Sequence, residues 1–184
     1  MPSPLPPDAL FLDRLPSPVG AMLVVHDEQA RLRAIEFHDC ESRLTQLLRI
    51  HYGSRPLQER RAPAVIRDAL GGYFAGDLCA IDRIEVATAG TPFQRDVWAV
   101  LRTIRPGTTL SYGALAQRIG RPKAVRAVGA ANGSNPISVV VPCHRVIGAD
   151  ASLTGYGGGI ERKRWLLAHE GAAFRGALGL RVAA

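Results

Sequence analysis

Cys143, His144 and Arg145 occupy consecutive positions in an otherwise aliphatic stretch, with Val139-Val140-Val141-Pro142 before them and Val146-Ile147-Gly148 after. A thiol beside an imidazole and a guanidinium offers the parts of nucleophilic catalysis: a sulfur to attack, a base to take its proton and a positive charge that favours the anion. An unassisted thiol titrates at about 8.5, so reaction at neutral pH needs such help. A structural cysteine in a core strand fits the same stretch, because free cysteine is readily buried. Ile137 to Val141 read as a short buried strand, and Pro142 cannot donate to a sheet ladder, so pairing is expected to break just before Cys143. The thiol then stands at a strand end. Successive strand residues face opposite ways, so His144 reaches Cys143 only if the backbone turns there or a water intervenes.

A second ionisable group follows downstream. Thr154-Gly155-Tyr156-Gly157-Gly158-Gly159 is a glycine-dense loop leading into a helix from Ile160 that ends at Gly171. Glu170 falls in the last turn of that helix, where the dipole disfavours a carboxylate. A carboxylate in that place either has another use, such as orienting His144, or is a solvated surface group.

The elements that lead to this stretch read as helices. Thr91 can cap, Pro92 suits a first helical position and Gln94 completes a capping-box pattern. Phe93, Val97, Trp98, Leu101 and Ile104 mark an apolar face before Pro106-Gly107. Ser111 can cap a short helix carrying Leu115 and Ile119 and ending at Gly120, and a second helix is expected to begin at Pro122 or just after it. Two short helices joined by a glycine-containing turn form a helix-turn-helix pattern, which an ordinary helical corner also satisfies. The second helix carries Lys123 and Arg126 among the small residues Ala124, Ala127, Gly129, Ala130 and Ala131, which permit close approach to a nucleic-acid groove.

The first half reads as α+β. Two strands, Ala21 to Val25 and Leu32 to Phe37, flank a polar turn; Leu44, Leu47, Leu48 and His51 suggest one helix and Ile66, Leu70, Tyr73 and Phe74 another. Ile81, Ile84 and Val86 suggest a further strand. Cys40 and Cys79 are expected to be packing or incidental thiols.

Charge divides the same way. The net charge is +7, yet residues 1–90 hold ten arginines against twelve acidic residues, while residues 91–184 hold thirteen basic residues against four acidic ones. The basic second half suits an anionic partner such as nucleic acid, whose phosphates dominate affinity; a solvated basic face reads the same way. Three widely spaced cysteines give neither a disulfide framework nor zinc-finger spacing, and fit a reducing, cytoplasmic compartment. The start, MPSPLPPDAL, lacks the pattern of a signal peptide, and no run approaches the ~20 apolar residues that span a bilayer.

Residues 91 to about 172 closely resemble the C-terminal domain of the O6-alkylguanine-DNA alkyltransferases of DNA repair, the methylated-DNA-protein-cysteine methyltransferases, in stand-alone form. The resemblance rests on TPFQRDVW, SYGALA, RPKAVRAVGAANGSNPISVVVPCHRVIG, TGYGGG and RKRWLLAHEG. The first half resembles the family's N-terminal domain more loosely, through SPVG and the strand pair. The resemblance implies an α+β chain: a ribonuclease H-like α/β domain over 1–88, then a mostly helical, winged helix-turn-helix-like domain over 89–184 that binds DNA.

It implies that Cys143 accepts the alkyl group of O6-alkylguanine, and of O4-alkylthymine, in one turnover. His144 would act as base through a water, Glu170 would hold its tautomer, and Asn135 would structure the turn into the active site. Tyr112 would donate to the purine and crowd the target phosphate, and Arg126 would fill the vacated stack. Ala127, Gly129 and Ala130 would face DNA, while Val146, Tyr156, Gly157 and Gly158 would line the base pocket. Family members often carry a serine where this chain has Gly157, so a hydrogen bond to the guanine oxygen would come from the backbone N–H. The partner implied is double-stranded DNA, bound by a monomer through the minor groove with the base flipped out; no cofactor, metal or membrane is implied. No cysteine precedes Cys40, so the N-terminal zinc site of some relatives is not expected. A lesion binder without chemistry and a helix-turn-helix regulator are the alternative readings.

Overall fold

A computed structural model describes residues 7–176; the proline-rich start, 1–6, and the final stretch of the expected second domain, 177–184, lie outside the described residues. The architecture is mixed α+β and divides into two units, one formed by residues up to Pro92 with Pro136–Val140, the other by Phe93–Asn135 and the chain from Val141 onward.

The first unit is built on β1 (Leu10–Leu15), β2 (Met22–His26), β3 (Leu32–Phe37), α1 (Glu41–Tyr52), β4 (Leu57–Glu59) and α2 (Ala64–Phe74). Its sheet runs β3-β2-β1-β4, antiparallel except for the parallel β1/β4 pair. In α1, Leu44, Leu47 and Leu48 recur at the spacing of one helical face, and all three are buried. Leu44 and Leu48 pack with Leu10, Leu12, Leu23, Val25 and Ala34. The strand expected from Ile81, Ile84 and Val86 does not form. Ala80–Arg83 is a 3-10 turn, and only Val86 bridges to Leu32. The i, i+3 spacing of Ile81 and Ile84 suits that tighter helix, in which such positions eclipse.

The second unit contains α3 (Pro92–Leu101), β5 (Leu110–Ser111), α4 (Tyr112–Arg118), α5 (Val125–Gly133), β6 (Val146–Ile147) and α6 (Ile160–His169). Val97, Trp98 and Leu101 bury the inner face of α3, and the Trp98 indole donates to the Ala131 carbonyl at 2.8 Å, tying α3 to α5. Ser111 caps α4 through its hydroxyl, which accepts from the Ala114 N–H. Gly120, at φ +70°, turns the chain beyond α4, and α5 begins at Val125 rather than at Pro122. β5 pairs in parallel with β6, placing Leu110 opposite Val146. Among the described residues no helix is long and apolar enough to cross a membrane, and no group of three or more His, Cys, Asp or Glu side chains could hold a metal ion.

Candidate active site

The backbone before Cys143 is not the strand its aliphatic sequence suggests. Ile137 makes one isolated bridge to Ile35, and the chain then turns through Val139, a buried β-branched residue at φ +72°. A non-glycine residue in that region costs on the order of 1–3 kcal/mol and persists where its surroundings dictate it. Here the first unit supplies the constraint. The Ile35 N–H donates to the Pro136 carbonyl, the Ser138 N–H donates to the Ile35 carbonyl, and the Ser138 hydroxyl donates to Glu36. Two backbone bonds and a buried carboxylate override the strand preference of consecutive valines.

Beyond Pro142 the chain enters a 3-10 turn, Cys143–Arg145, closed by the Arg145 N–H on the Pro142 carbonyl at 3.0 Å, and then β6. The chain does turn where adjacent cysteine and histidine require it. At about three residues per turn, neighbouring side chains diverge by a third of a circle instead of pointing oppositely.

Cys143 is buried, and its sulfur accepts a hydrogen bond from Asn135 Nδ2 at 3.1 Å. The same amide nitrogen donates to the Val141 carbonyl at 2.7 Å, so Asn135 braces both the turn and the sulfur. Asn132 Nδ2 reaches the Cys143 carbonyl at 3.4 Å. His144, fully buried, places Nε2 2.9 Å from Glu170 Oε1. Arg145 grips the same carboxylate with two bonds, Nε to Oε2 at 2.9 Å and Nη2 to Oε1 at 2.8 Å, and its Nη1 donates to the Ile104 carbonyl. Glu170 caps the C-terminal end of α6, where the dipole opposes a carboxylate; two partners on the turn outweigh that opposition.

Burial holds the His144 imidazole below its ordinary value, with Glu170 working against the shift. Burial alone would raise the Glu170 carboxyl, but the hydrogen bonds and charges of His144 and Arg145 prevail and keep it well below the usual carboxylate range. The outcome is a neutral ring whose Nε2–H donates to an ionised carboxylate. Nδ1 is then the basic atom, buried and without a hydrogen-bond partner among the described residues.

The surrounding walls come from α4, α5 and the glycine loop. The Tyr112 hydroxyl shares a 2.9 Å hydrogen bond with Thr154 Oγ1, and the Tyr112 ring lies against Gly129. A Cβ on Gly129 would sit 3.7 Å from that ring, in ordinary contact. Tyr156 meets the His144 ring edge-on at 6.4 Å. Gly157 is exposed, while Gly158 is buried and its carbonyl accepts from Arg162. Val146 is buried on β6. On α5, Arg126, Ala127 and Ala130 face outward, and Val128, Ala131 and Asn132 face the core.

Asn135–Cys143 and His144–Glu170 are thus two hydrogen-bonded pairs carried by consecutive residues of one turn, with Tyr156 against His144 and Gly129 of α5 beside Tyr112. Three contributors were not singled out from the sequence: Arg145 as the clamp on Glu170, Thr154 as the partner of Tyr112, and Lys163. The Lys163 ammonium is buried and donates to the Val146 carbonyl at 2.6 Å and the Thr154 carbonyl at 3.2 Å. Its helical phase was a usable signal, because Lys163 lies three and four residues before the buried Leu166 and Leu167.

Comparison with known proteins gives one answer. Residues 92–172 match the family described as 6-O-methylguanine DNA methyltransferase, DNA binding domain. The Methylated-DNA--protein-cysteine methyltransferase of Salmonella typhimurium is 55% identical over 164 residues, covering 88% of this chain and 96% of its own length. The protein of the same name from Haemophilus influenzae is 40% identical, covering 86% of this chain and 85% of its own. Among solved structures, Mycobacterium tuberculosis OGT in complex with DNA superposes with a TM-score of 0.73 at 38% identity, covering 88% of this chain and 92% of that one.

Proposed function

The chain belongs to the methylated-DNA–protein-cysteine methyltransferase family, and from that premise we propose that it repairs DNA by moving the alkyl group of O6-alkylguanine onto the sulfur of its own Cys143. The observation that carries the reading is the linked series Asn135–Cys143 and His144–Glu170–Arg145 in one buried turn. His144 Nδ1 takes the thiol proton through an intervening water, and Glu170 fixes the tautomer that makes Nδ1 the acceptor. The sulfur then attacks the alkyl carbon. An S–C bond forms, the C–O6 bond breaks, its electron pair stays on the guanine oxygen, and a proton returned to the purine leaves guanine and a neutral thioether. A thioether is stable, so each molecule acts once.

The alkylated base leaves the duplex to reach a buried sulfur, and unstacking costs a few kcal/mol, less for a damaged pair. The outward face of α5 supports an approach through the minor groove, where Ala127 and Ala130 admit the backbone and Arg126 fills the vacated stack. Tyr112 crowds the target phosphate and donates to the purine; Tyr156 and the glycine loop wall the base, with the Gly157 N–H toward the oxygen. The same reading covers O4-alkylthymine, a monomer acting on DNA in the cytoplasm, a ribonuclease H-like domain over 1–88 and a winged helix-turn-helix DNA-binding domain over 89–184.

Duplex DNA bearing radiolabelled O6-methylguanine tests this function. Label is expected to pass to the protein and saturate at one equivalent; label that stays on DNA despite binding contradicts it. In the same assay Arg126→Ala should slow transfer from duplex by roughly tenfold or more, the equivalent of a lost contact of 1–3 kcal/mol, while transfer from free O6-benzylguanine changes little. Equal losses on both substrates would refute the stack-filling role.

A neutral His144 also sets the pH profile. Because burial lowers the imidazole, transfer from O6-benzylguanine should stay flat as pH falls through the ordinary histidine value, about 6.5, and decline only in more acid solution. A decline centred at or above that value would contradict the neutral-base assignment.

A further inference from the structure

The relay leaves one buried ionisable group without a part. Lys163 is fully buried in the first turn of α6. Lysine is almost never fully buried unless paired, yet among the described residues no carboxylate lies within ion-pair distance of its ammonium; both hydrogen-bond partners are carbonyls.

Those carbonyls belong to the two walls of the site. Val146 continues the turn that carries Cys143, and Thr154 opens the glycine loop and holds the Tyr112 hydroxyl. One ammonium therefore straps the nucleophile's turn to the loop that faces the base. The charges of the cluster point the same way. Glu170 and Arg145 cancel, His144 is neutral, and Lys163 leaves one buried positive charge in excess. Cys143 is the group whose ionisation would balance it, and a Cys143 thiolate is what the Lys163 ammonium senses electrostatically.

We propose that Lys163 is the built-in counter-ion of the Cys143 thiolate and, through Val146 and Thr154, the positioning residue that sets the sulfur against the base pocket. The proposal rests on the alkyl-transfer reading for its chemistry. When the thiol proton passes to His144, the imidazolium that forms faces the Glu170 carboxylate and the thiolate is compensated by the Lys163 ammonium. When the S–C bond forms and the C–O6 bond breaks, the negative charge leaves on the guanine oxygen and is quenched there by a proton. The neutral thioether leaves Lys163 without its counter-charge.

The chain has only two lysines, Lys123 and Lys163, so lysine labelled with carbon-13 at the ε position gives two resonances to titrate. Burial pulls the Lys163 ammonium down to about 8, and the Cys143 thiolate holds it up against that pull. The elements around it contribute His144 and Arg145 from the turn, Glu170 from the end of α6 and Tyr112 through Thr154; His144 and Glu170 titrate well below this window. Benzylation of Cys143 by free O6-benzylguanine, and separately Cys143→Ala, should each lower the Lys163 midpoint by about one pH unit and leave exposed Lys123 in place. A midpoint that moves on benzylation but not in Cys143→Ala reports crowding and overturns the proposal, as does a midpoint that moves in neither.

A second arm uses iodoacetamide on Cys143 in place of guanine chemistry. Lys163→Met should slow labelling roughly tenfold or more, with Lys163→Arg recovering part of the loss; equal rates in all three proteins refute the counter-ion role. If Lys163→Met does not fold, the titration of the unaltered lysines still decides. Failure of O6-benzylguanine to alkylate Cys143 would sink the repair reading instead, and the Cys143→Ala titration would still judge Lys163 by itself.

Discussion

Cys143→Ala is expected to abolish alkyl transfer entirely while leaving affinity for alkylated duplex within a few-fold of the parent. In the proposed reaction the Cys143 sulfur forms the new bond, so the expected loss is total and not a matter of degree. The substitution removes a small buried group, and the Asn135 amide keeps its bond to the Val141 carbonyl, so the turn retains one of its two braces. The surfaces that would meet DNA, Arg126, Ala127 and Ala130, lie on the exposed face of α5, whereas Cys143 is buried. Mixing the variant with labelled duplex, and reading both bound DNA and label on protein, separates the two effects. Label on the variant would place the acceptor elsewhere, and lost binding would show that Cys143 also shapes the DNA-binding surface.

The second large effect is expected at Glu170. Its carboxylate accepts from both His144 and Arg145 and is itself buried, so Glu170→Ala leaves a buried guanidinium without its counter-charge and the His144 Nε2–H without its acceptor, while the Arg145 bond to the Ile104 carbonyl remains. Breaking a buried pair by removing one partner costs about 3–5 kcal/mol, a large share of a domain's stability, and should appear as a marked fall in Tm. Glu170→Gln keeps the shape and one acceptor oxygen, so it separates folding from chemistry. Transfer from O6-benzylguanine should slow by roughly 10²–10⁴, the usual range for loss of an acid–base relay, with the protein still folded.

The sign of the pH dependence follows from the same carboxylate. A group held below its unfolded value stabilises the fold at pH above that value, and the contribution is lost as pH falls through the range below it. The stability gap between parent and Glu170→Gln should therefore close as pH drops below about 4.3. A gap that persists or widens in acid would show that Glu170 is not the ionised anchor of the turn.

Much of this site was legible in residue type and spacing. The neighbours Cys143 and His144 offered a nucleophile with its base beside the reading of a packed thiol, and a carboxylate at an unfavourable helix end offered a partner for His144 beside the reading of a solvated surface group. The α1 and α3 faces followed from the recurrence of leucines and of Val97, Trp98 and Leu101. What failed to show was decided by tertiary contacts. A run of valines before Pro142 has the appearance of a buried strand, and the bonds that Pro136 and Ser138 make with Ile35 and Glu36 hold Val139 in the left-handed region and make a turn of it. β1 was missed because Leu10–Leu15 follows a proline-rich start and lacks clean alternation. Lys163 sits in a basic half where cations are expected to be solvated, so composition hid a buried charge that helical phase exposes; Arg145 stood out in its aliphatic stretch, but nothing local names Glu170 as its partner.

The central claim, that Cys143 is a single-use alkyl acceptor, is tested most directly by intact-mass and peptide-mapping spectrometry after incubation with excess O6-methylguanine duplex. The expected result is one methyl group per protein molecule, carried on the peptide containing Cys143, with no further gain on longer incubation. Methyl on Cys40 or Cys79, more than one methyl per chain, or repaired DNA exceeding protein in molar terms would contradict it.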